Sequence, residues 1–386
     1  THPYDDHFGV MRWCLEGRKE PDKREGYPSL GSIASKFRGP RAVGMPPYVM
    51  LAEEPVMHHH LFDAMAPGYL GPSHSPFAVL QDPYPQDFQF DRLRSATDSL
   101  QLANDVTLDR VNDRKSLLSE LDLLPRKLDS KPAQDGLDPF ASLALDLVTS
   151  AKARRAFDLN AESAATRERY GSHRWGQMAL LARRLVESGV TFVTINTAPD
   201  CLRWDWHVSI TKENRPQPDP GGPNVGAEWS CPPLDRALSA LIADLSERDP
   251  CRNVLLVVWG EFGRTPKINV TGGRDHWPKL GSVLLAGGGL KMGQVIGESS
   301  HDGSLPTDRP ISPSDVLQTL YKHLGIDPNQ NAVNLQGRPI PLNCSERLKT
   351  ELHDEPTTDT PPILAHVSGF RGTSVRQRGT ESRAAR

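Results

Sequence analysis

Val254-Leu-Leu-Val-Val-Trp259 is a six-residue run with no polar side chain, followed at once by Gly260-Glu-Phe-Gly-Arg-Thr-Pro266. Six apolar residues rich in valine are too few for a buried helix and the right length for a strand. A strand apolar at every position is covered on both faces, the habit of parallel sheets in α/β proteins. Two further β-rich runs lie on either side, Val190-Thr-Phe-Val-Thr-Ile195 and Val283-Leu-Leu-Ala286. Between the first two strands, Pro233 to Glu247 has helical periodicity. Before them, Trp175 to Ser188 forms an amphipathic pattern that stops at Gly189, the residue best suited to a left-handed helix end. A last helix, Ser314 to Leu324, stops in the same way at Gly325. Residues 171–352 therefore read as the core of an α/β fold, doubly wound, with a mostly parallel sheet and helices on both faces.

Working outward, residues 91–170 are charged and helical in pattern, with a leucine-rich face at Leu117, Leu118, Leu121, Leu123 and Leu124, and read as a helical excursion from that core. Residues 1–90 are loop-rich, with Tyr48-Val-Met-Leu51 as their clearest strand. The chain divides into one domain over 1–352 and a tail over 353–386. The tail lacks apolar periodicity and ends in a run of arginines, so it is expected to be disordered. The 386 residues include 31 glycines and 34 prolines, an excess that predicts long loops. A net charge of −3 leaves no electrostatic footprint for nucleic acid. The longest charge-free run, Ala64 to Gln81, is broken by three prolines and cannot span a bilayer as a helix. Five cysteines show no C-x-x-C pair, which excludes a cysteine metal site; Cys201 and Cys231 flank a loop and read equally well as a disulfide or as free thiols.

In open α/β sheets, ligands bind beyond the carboxyl ends of the strands. Three polar clusters fall there: Arg203-Trp-Asp-Trp-His207, Gly260-Glu-Phe-Gly-Arg-Thr-Pro266 and Gly272-Gly-Arg-Asp-His-Trp277. Asp205 and His207 are two residues apart, so extended backbone puts both on one face. There they suit a divalent cation or a proton-transfer couple, against the plainer reading of a hydrogen-bonded loop pair. Glu261 follows a buried strand directly, where a carboxylate needs a metal or an ion pair with Arg264 or Arg274. His276 adds a second imidazole, with Asp275 beside it as ligand or supporting partner. Asp205, His207, Glu261 and His276 make a set that favours zinc or manganese over calcium or magnesium. Arg264, Arg274 and Lys267 would bring positive charge suited to gripping a tetrahedral oxyanion. Nearby tryptophans read as walls of the site or as a stacking surface for a sugar ring. Gly287-Gly-Gly289 fits a dinucleotide loop poorly, because no helix follows it. His58-His-His60 sits in an unpatterned stretch, and the segment around His74 lacks a nucleophile elbow.

The block from Val257 to Pro266 together with Gly272 to Trp277 resembles the hallmark of the bacterial family known as domain of unknown function 1501. Tyr27-Pro-Ser-Leu-Gly-Ser32, Gly68-Tyr-Leu-Gly71, Trp204-Asp-Trp-His207 and Gln336-Gly-Arg-Pro339 fit the same family, and the resemblance spans about residues 1 to 345. It implies a fold like that of alkaline phosphatases and sulfatases, in which two metal ions flank a nucleophile and polarise a phosphate or sulfate ester. On that resemblance Asp205, His207, Glu261 and His276 are expected as metal ligands, and the nucleophile region is expected near His7, with His2 close by. The substrate would be a small-molecule or carbohydrate ester. The family resemblance also implies export, with a signal, a first strand and a metal ligand upstream of Thr1. Two departures stand out: Phe262 replaces a usual histidine ligand, and no serine or cysteine lies near His7. The competing expectation is a non-catalytic binding protein that keeps the fold, with a structural metal or a carbohydrate ligand.

Overall fold

The run Val254–Trp259 is a strand, and all six of its residues are buried. The computed structural model describes residues 7–17, 26–53, 64–81, 109–110, 113, 147, 149–197, 204–207, 227–248, 253–342 and 363–368. In chain order the main elements are α1 (His7–Glu16), α2 (Leu30–Arg38), β1 (Tyr48–Glu53), β2 (Phe77–Gln81), α3 (Ala151–Phe157), α4 (Ala164–Tyr170), α5 (Arg174–Ser188), β3 (Phe192–Asn196), α6 (Ala227–Glu247) and β4 (Val254–Trp259). Then come β5 (Gly263–Arg264), β6 (His276–Trp277), β7 (Val283–Gly287), β8 (Glu298–Ser299), β9 (Pro306–Asp308), α7 (Pro313–His323), β10 (Asn331–Val333), β11 (Pro339–Pro341) and β12 (Ile363–Ser368).

Six strands form one sheet in the order β2-β1-β3-β12-β4-β7, and three two-stranded antiparallel ribbons accompany it. The first five strands of that order run parallel to one another. β4 shows how both faces are used. Val254, Leu256 and Val258 enter one core with α5 and α6, whereas Leu255, Val257 and Trp259 enter a second with α1, α2 and α7. The alternation is the period of a strand, and the helices on both faces explain why no position of β4 is polar. Helix α5 ends where the sequence places its stop, at Gly189 with φ 105°, whose amide donates to the carbonyls of Leu185 and Val186. Helix α7 opens on a capping box between Ser312 and Asp315.

The structure corrects several expectations. β7 pairs antiparallel to β4, so the sheet is mixed at that edge. Apolarity predicts burial and not direction, and β7 is only partly buried. Part of the tail expected to be disordered, Ile363–Ser368, is a strand between β3 and β4. The loop-rich start also holds α1, α2 and β2, and α6 begins six residues earlier than the proline-led pattern suggested, taking in Pro232 and Pro233. Of the proposed excursion, α3 and α4 are helical as expected, while Leu117 to Leu124 and also His58 to His60 lie outside the described residues. No helix among the described residues is long and apolar enough to cross a membrane.

The helix layer over α3 to α6 contains a buried ionic cluster. Arg183, 1% exposed, faces Glu187 at 2.8 Å, Glu162 at 3.0 Å and Asp244 at 3.3 Å. Asp244 also accepts from the Tyr170 hydroxyl at 2.8 Å and pairs with Arg169. Arg184 pairs with Glu162, and Arg248 with Glu187 at 3.1 Å. Burial works to raise the Glu162 pKa, but hydrogen bonds and charge from Arg183 and Arg184 outweigh it and hold the carboxyl below its ordinary value. At the start of α5, His173 caps the helix by accepting from the Gly176 amide through Nδ1 at 3.1 Å. Burial first, and the charge of Arg236 second, push its pKa down to about 4.

Candidate metal centre

The segment Trp204-Asp-Trp-His207 alternates between buried and half-buried positions, and the His207 amide donates to the Asp205 carbonyl at 2.9 Å, closing a tight turn centred on Trp206 where the sequence suggested extended backbone. Trp204 and Trp206 are buried in the core, Trp204 stacked on Trp175 with ring centroids 5.2 Å apart and planes at 18°. The Trp204 indole N–H donates to the Thr197 carbonyl at 3.0 Å. With the tryptophans anchored inward, Asp205 and His207 share the opposite face. Both therefore point toward the loops that follow β4, as their spacing suggested.

Those loops are folded tightly. β5 pairs with β6 so that Arg264 lies opposite His276. A Cβ on Gly263 would stand 2.2 Å from the Leu280 carbonyl oxygen, and one on Gly273 would stand 2.1 Å from His207 backbone atoms. Only glycine allows these approaches. The Arg274 amide donates to the Trp206 carbonyl at 2.7 Å, tying the third cluster to the first. Asn269, which carries no recognisable motif, organises the rest. Its Nδ2 donates to the His207 carbonyl at 2.9 Å and to Asp275 Oδ1 at 3.0 Å, and its Oδ1 accepts from the Gly273 amide at 2.9 Å.

Six side chains meet in this frame. His7, the first residue of α1, sets Nδ1 2.7 Å from Glu261 Oε1 and Nε2 3.1 Å from Asp205 Oδ2. His276 Nε2 lies 3.1 Å from Asp205 Oδ1. His207 Nε2 lies 3.0 Å from His276 Nε2 and 3.3 Å from Asp205 Oδ1, while its Nδ1 is 2.9 Å from Asp275 Oδ1. One ligand atom each from His7, Asp205 and His276 falls within 4.8 Å of the others, a spread compatible with one ion. Ligands about 2 Å from a shared cation lie roughly 3 to 4 Å from each other.

The chemistry of the donor set fits such an ion. A neutral imidazole has one N–H, yet both nitrogens of His7 face carboxylate oxygens and two histidine nitrogens face each other. Lone pairs directed at lone pairs are reconciled by extra protons or by a cation. Phe262 packs under the rings, 5.0 Å from His7 and 4.2 Å from His276 between centroids, and gives the cluster a dry wall. Asp275 is half exposed; the hydrogen bond with His207 is the main reason its carboxyl is held below the ordinary value. The Cys14 thiol feels the Glu261 charge, but burial first and that charge second raise its pKa, so it stays protonated and is no nucleophile.

All four ligands expected from the sequence, Asp205, His207, Glu261 and His276, belong to this contiguous set. His7, expected in the nucleophile region, stands within the same cluster, bridging Asp205 and Glu261. His2 lies outside the described residues. Two of the expected anion contacts are committed elsewhere. Arg264, whose side chain is 4% exposed, pairs with Asp205 and donates to the Arg274 carbonyl at 2.8 Å. Arg274 donates to the carbonyls of Thr265 and Pro266 at 2.6 and 2.5 Å. Lys267 is exposed on the same loop. Among the described residues Cys14 is a free thiol, and Cys201 lies outside them.

Comparison with known proteins gives one informative match. A family model described as Protein of unknown function (DUF1501) matches residues 15–352. No curated protein and no solved structure matches. His7 and β12 both fall outside the matched span.

Proposed function

We propose that this chain, which belongs to the DUF1501 family, is a metal-dependent hydrolase of phosphate or sulfate esters with an alkaline-phosphatase-like fold. The observation that carries the reading is the convergence of His7, Asp205 and His276 on one point, with Glu261 and His207 next to them. Two or three imidazoles with carboxylates favour zinc or manganese over calcium or magnesium. A divalent cation held there supplies Lewis acidity to the ester and lowers the pKa of water. Glu261 is the carboxylate placed to take the proton from an attacking water, and its hydrogen bond with Nδ1 holds the His7 ring with Nε2 toward the cation. The Asp275–His207 couple is placed to return a proton to the departing alkoxide as the ester P–O or S–O bond breaks. With Cys14 buried and protonated, water is the nucleophile this reading requires. The substrate class is a small-molecule or carbohydrate ester, and an exported location belongs with the same reading.

One observation favours a second reading, a non-catalytic binding protein with a structural metal. Arg264 and Arg274 are occupied by Asp205 and by backbone carbonyls, so neither presents a free fork to an oxyanion. Elemental analysis of the purified protein and a panel of phosphate and sulfate esters separate the two. Bound metal with turnover that disappears in His276→Ala supports the hydrolase. Bound metal without turnover on any ester supports the binding protein and ends the hydrolase reading.

A further inference from the structure

The two strands that deliver the centre are not paired with each other. β3 leads toward Trp204–His207 and β4 leads into Glu261, and β12 runs between them, parallel to and hydrogen-bonded with both. Ala365 stands opposite Val193 on one side and Leu256 on the other. Ser368 stands opposite Asn196 and Trp259, so β12 ends level with its neighbours at the edge from which the ligand-bearing loops depart. Strands lie about 4.8 Å apart, so β12 acts as a spacer that sets β3 and β4 two strand-widths from each other. Withdrawing it would strip a ladder from the inner edge of each neighbour, in the middle of a sheet whose β3 and β4 residues are all buried. Buried backbone groups left in that condition are costly, so the neighbours would shift to pair or to reach water. β12 also lies beyond the residues that match the family model, so it is a feature of this chain rather than of the matched span.

We propose that the C-terminal strand Ile363–Ser368 is a positioning element of the metal centre, which takes its high-affinity form only when that strand is inserted. The proposal rests on reading the cluster as a cation site. The loops retain some direct ties without β12, such as the Arg274 amide to the Trp206 carbonyl at 2.7 Å. The expected consequence is therefore weakened binding and loosened geometry rather than an unfolded chain. Insertion makes cation affinity depend on a segment remote in sequence from every ligand.

The test compares the full chain, a chain ending at Leu352, and the full chain carrying Ala365→Gly. Zinc affinity is measured by competition titration, and amide exchange is followed at Val193–Ile195, Val254–Trp259 and the loop 261–277. Loss of a supporting partner typically weakens a metal site by about tenfold or more, and the shortened chain is expected to show at least that. It should also lose protection in β3 and β4. A synthetic peptide covering residues 360–371 should restore both. Glycine in a strand interior costs about 0.5–1 kcal/mol, so Ala365→Gly should weaken zinc by about two- to fivefold even if the shortened chain fails to fold. Unchanged affinity in both variants, or unchanged protection of β3 and β4, overturns the inference. If the full chain binds no zinc, the cation reading fails. The peptide's effect on protection of loop 261–277 then still decides whether β12 positions the site.

Discussion

Two polar clusters of similar size, one in the helix layer and one at the loops beyond the strand ends, are built on opposite principles. Around Arg183, arginines alternate with carboxylates, and each charge meets one of the other sign within the protein. Around Asp205, histidine nitrogens and carboxylate oxygens crowd one another, and Arg264 pairs with Asp205. The first is complete as it stands. The second sets lone pairs against lone pairs, an arrangement that suits a bound cation. Charge arithmetic inside a cluster thus separates a brace from a binding site more clearly than burial does, because both clusters include half-exposed members.

The strongest test of that contrast is Asp244→Ala. It removes the buried carboxylate that faces Arg183, pairs with Arg169 and accepts from the Tyr170 hydroxyl, and breaking a buried pair costs about 3–5 kcal/mol. Urea unfolding should show this loss whether or not metal is present. A loss under about 1 kcal/mol would mean the brace is ornamental. The second test concerns the site. Zinc at a hundred times its dissociation constant should stabilise the native chain by about 2.7 kcal/mol, and His276→Ala should abolish the gain. A chain whose melting temperature ignores zinc would place both clusters in the same class.

Histidine itself distinguishes the regions, which gives a third test. His173 is half-buried, and desolvation pushes its pKa down to about 4 against about 6.5 in an unfolded chain. The unfolded state therefore binds the extra proton first as pH falls. Stability is full above about 6.5 and declines toward pH 4, by at most about 1.4 kcal/mol per pH unit from this one group. His173→Asn keeps a capping acceptor and should flatten the decline in thermal melts between those values. An equally steep decline in the variant would move the cause elsewhere. The smallest expected effect is Ser163→Ala, which removes the side chain that accepts from the Thr166 amide at the start of α4. About 1 kcal/mol should be lost, without change in zinc affinity. Altered zinc binding would show that the helix layer and the site are coupled.

Much of the core was legible from local chemistry. β4 announced itself because a strand covered on both faces has no polar position, and α5 because Gly189 marks its end. Asp205 and His207 share the face their spacing suggested, though through a tight turn rather than extended backbone. What escaped was set by distance along the chain. His7 lies 198 residues from Asp205 and 254 from Glu261, and nothing in its neighbours signals either contact. β12 is short and sits in a polar tail, so no pattern distinguishes it from a loop. Asn269 acts through backbone groups that any sequence offers. The direction of β7 depends on the route of the connection from β4, which residue types do not encode.

The tryptophans flanking Asp205 have a consequence for measurement. Trp204 lies nearly parallel to Trp175, and Trp206 is tilted against Trp204 at 5.8 Å. Rings this close and fixed in orientation couple their electronic transitions, so the trio gives a near-ultraviolet circular dichroism signal that depends on its arrangement. Since Asp205 is bonded to two of these residues, any event that moves its backbone is written into that spectrum. The protein carries its own optical gauge of the site, readable without a label.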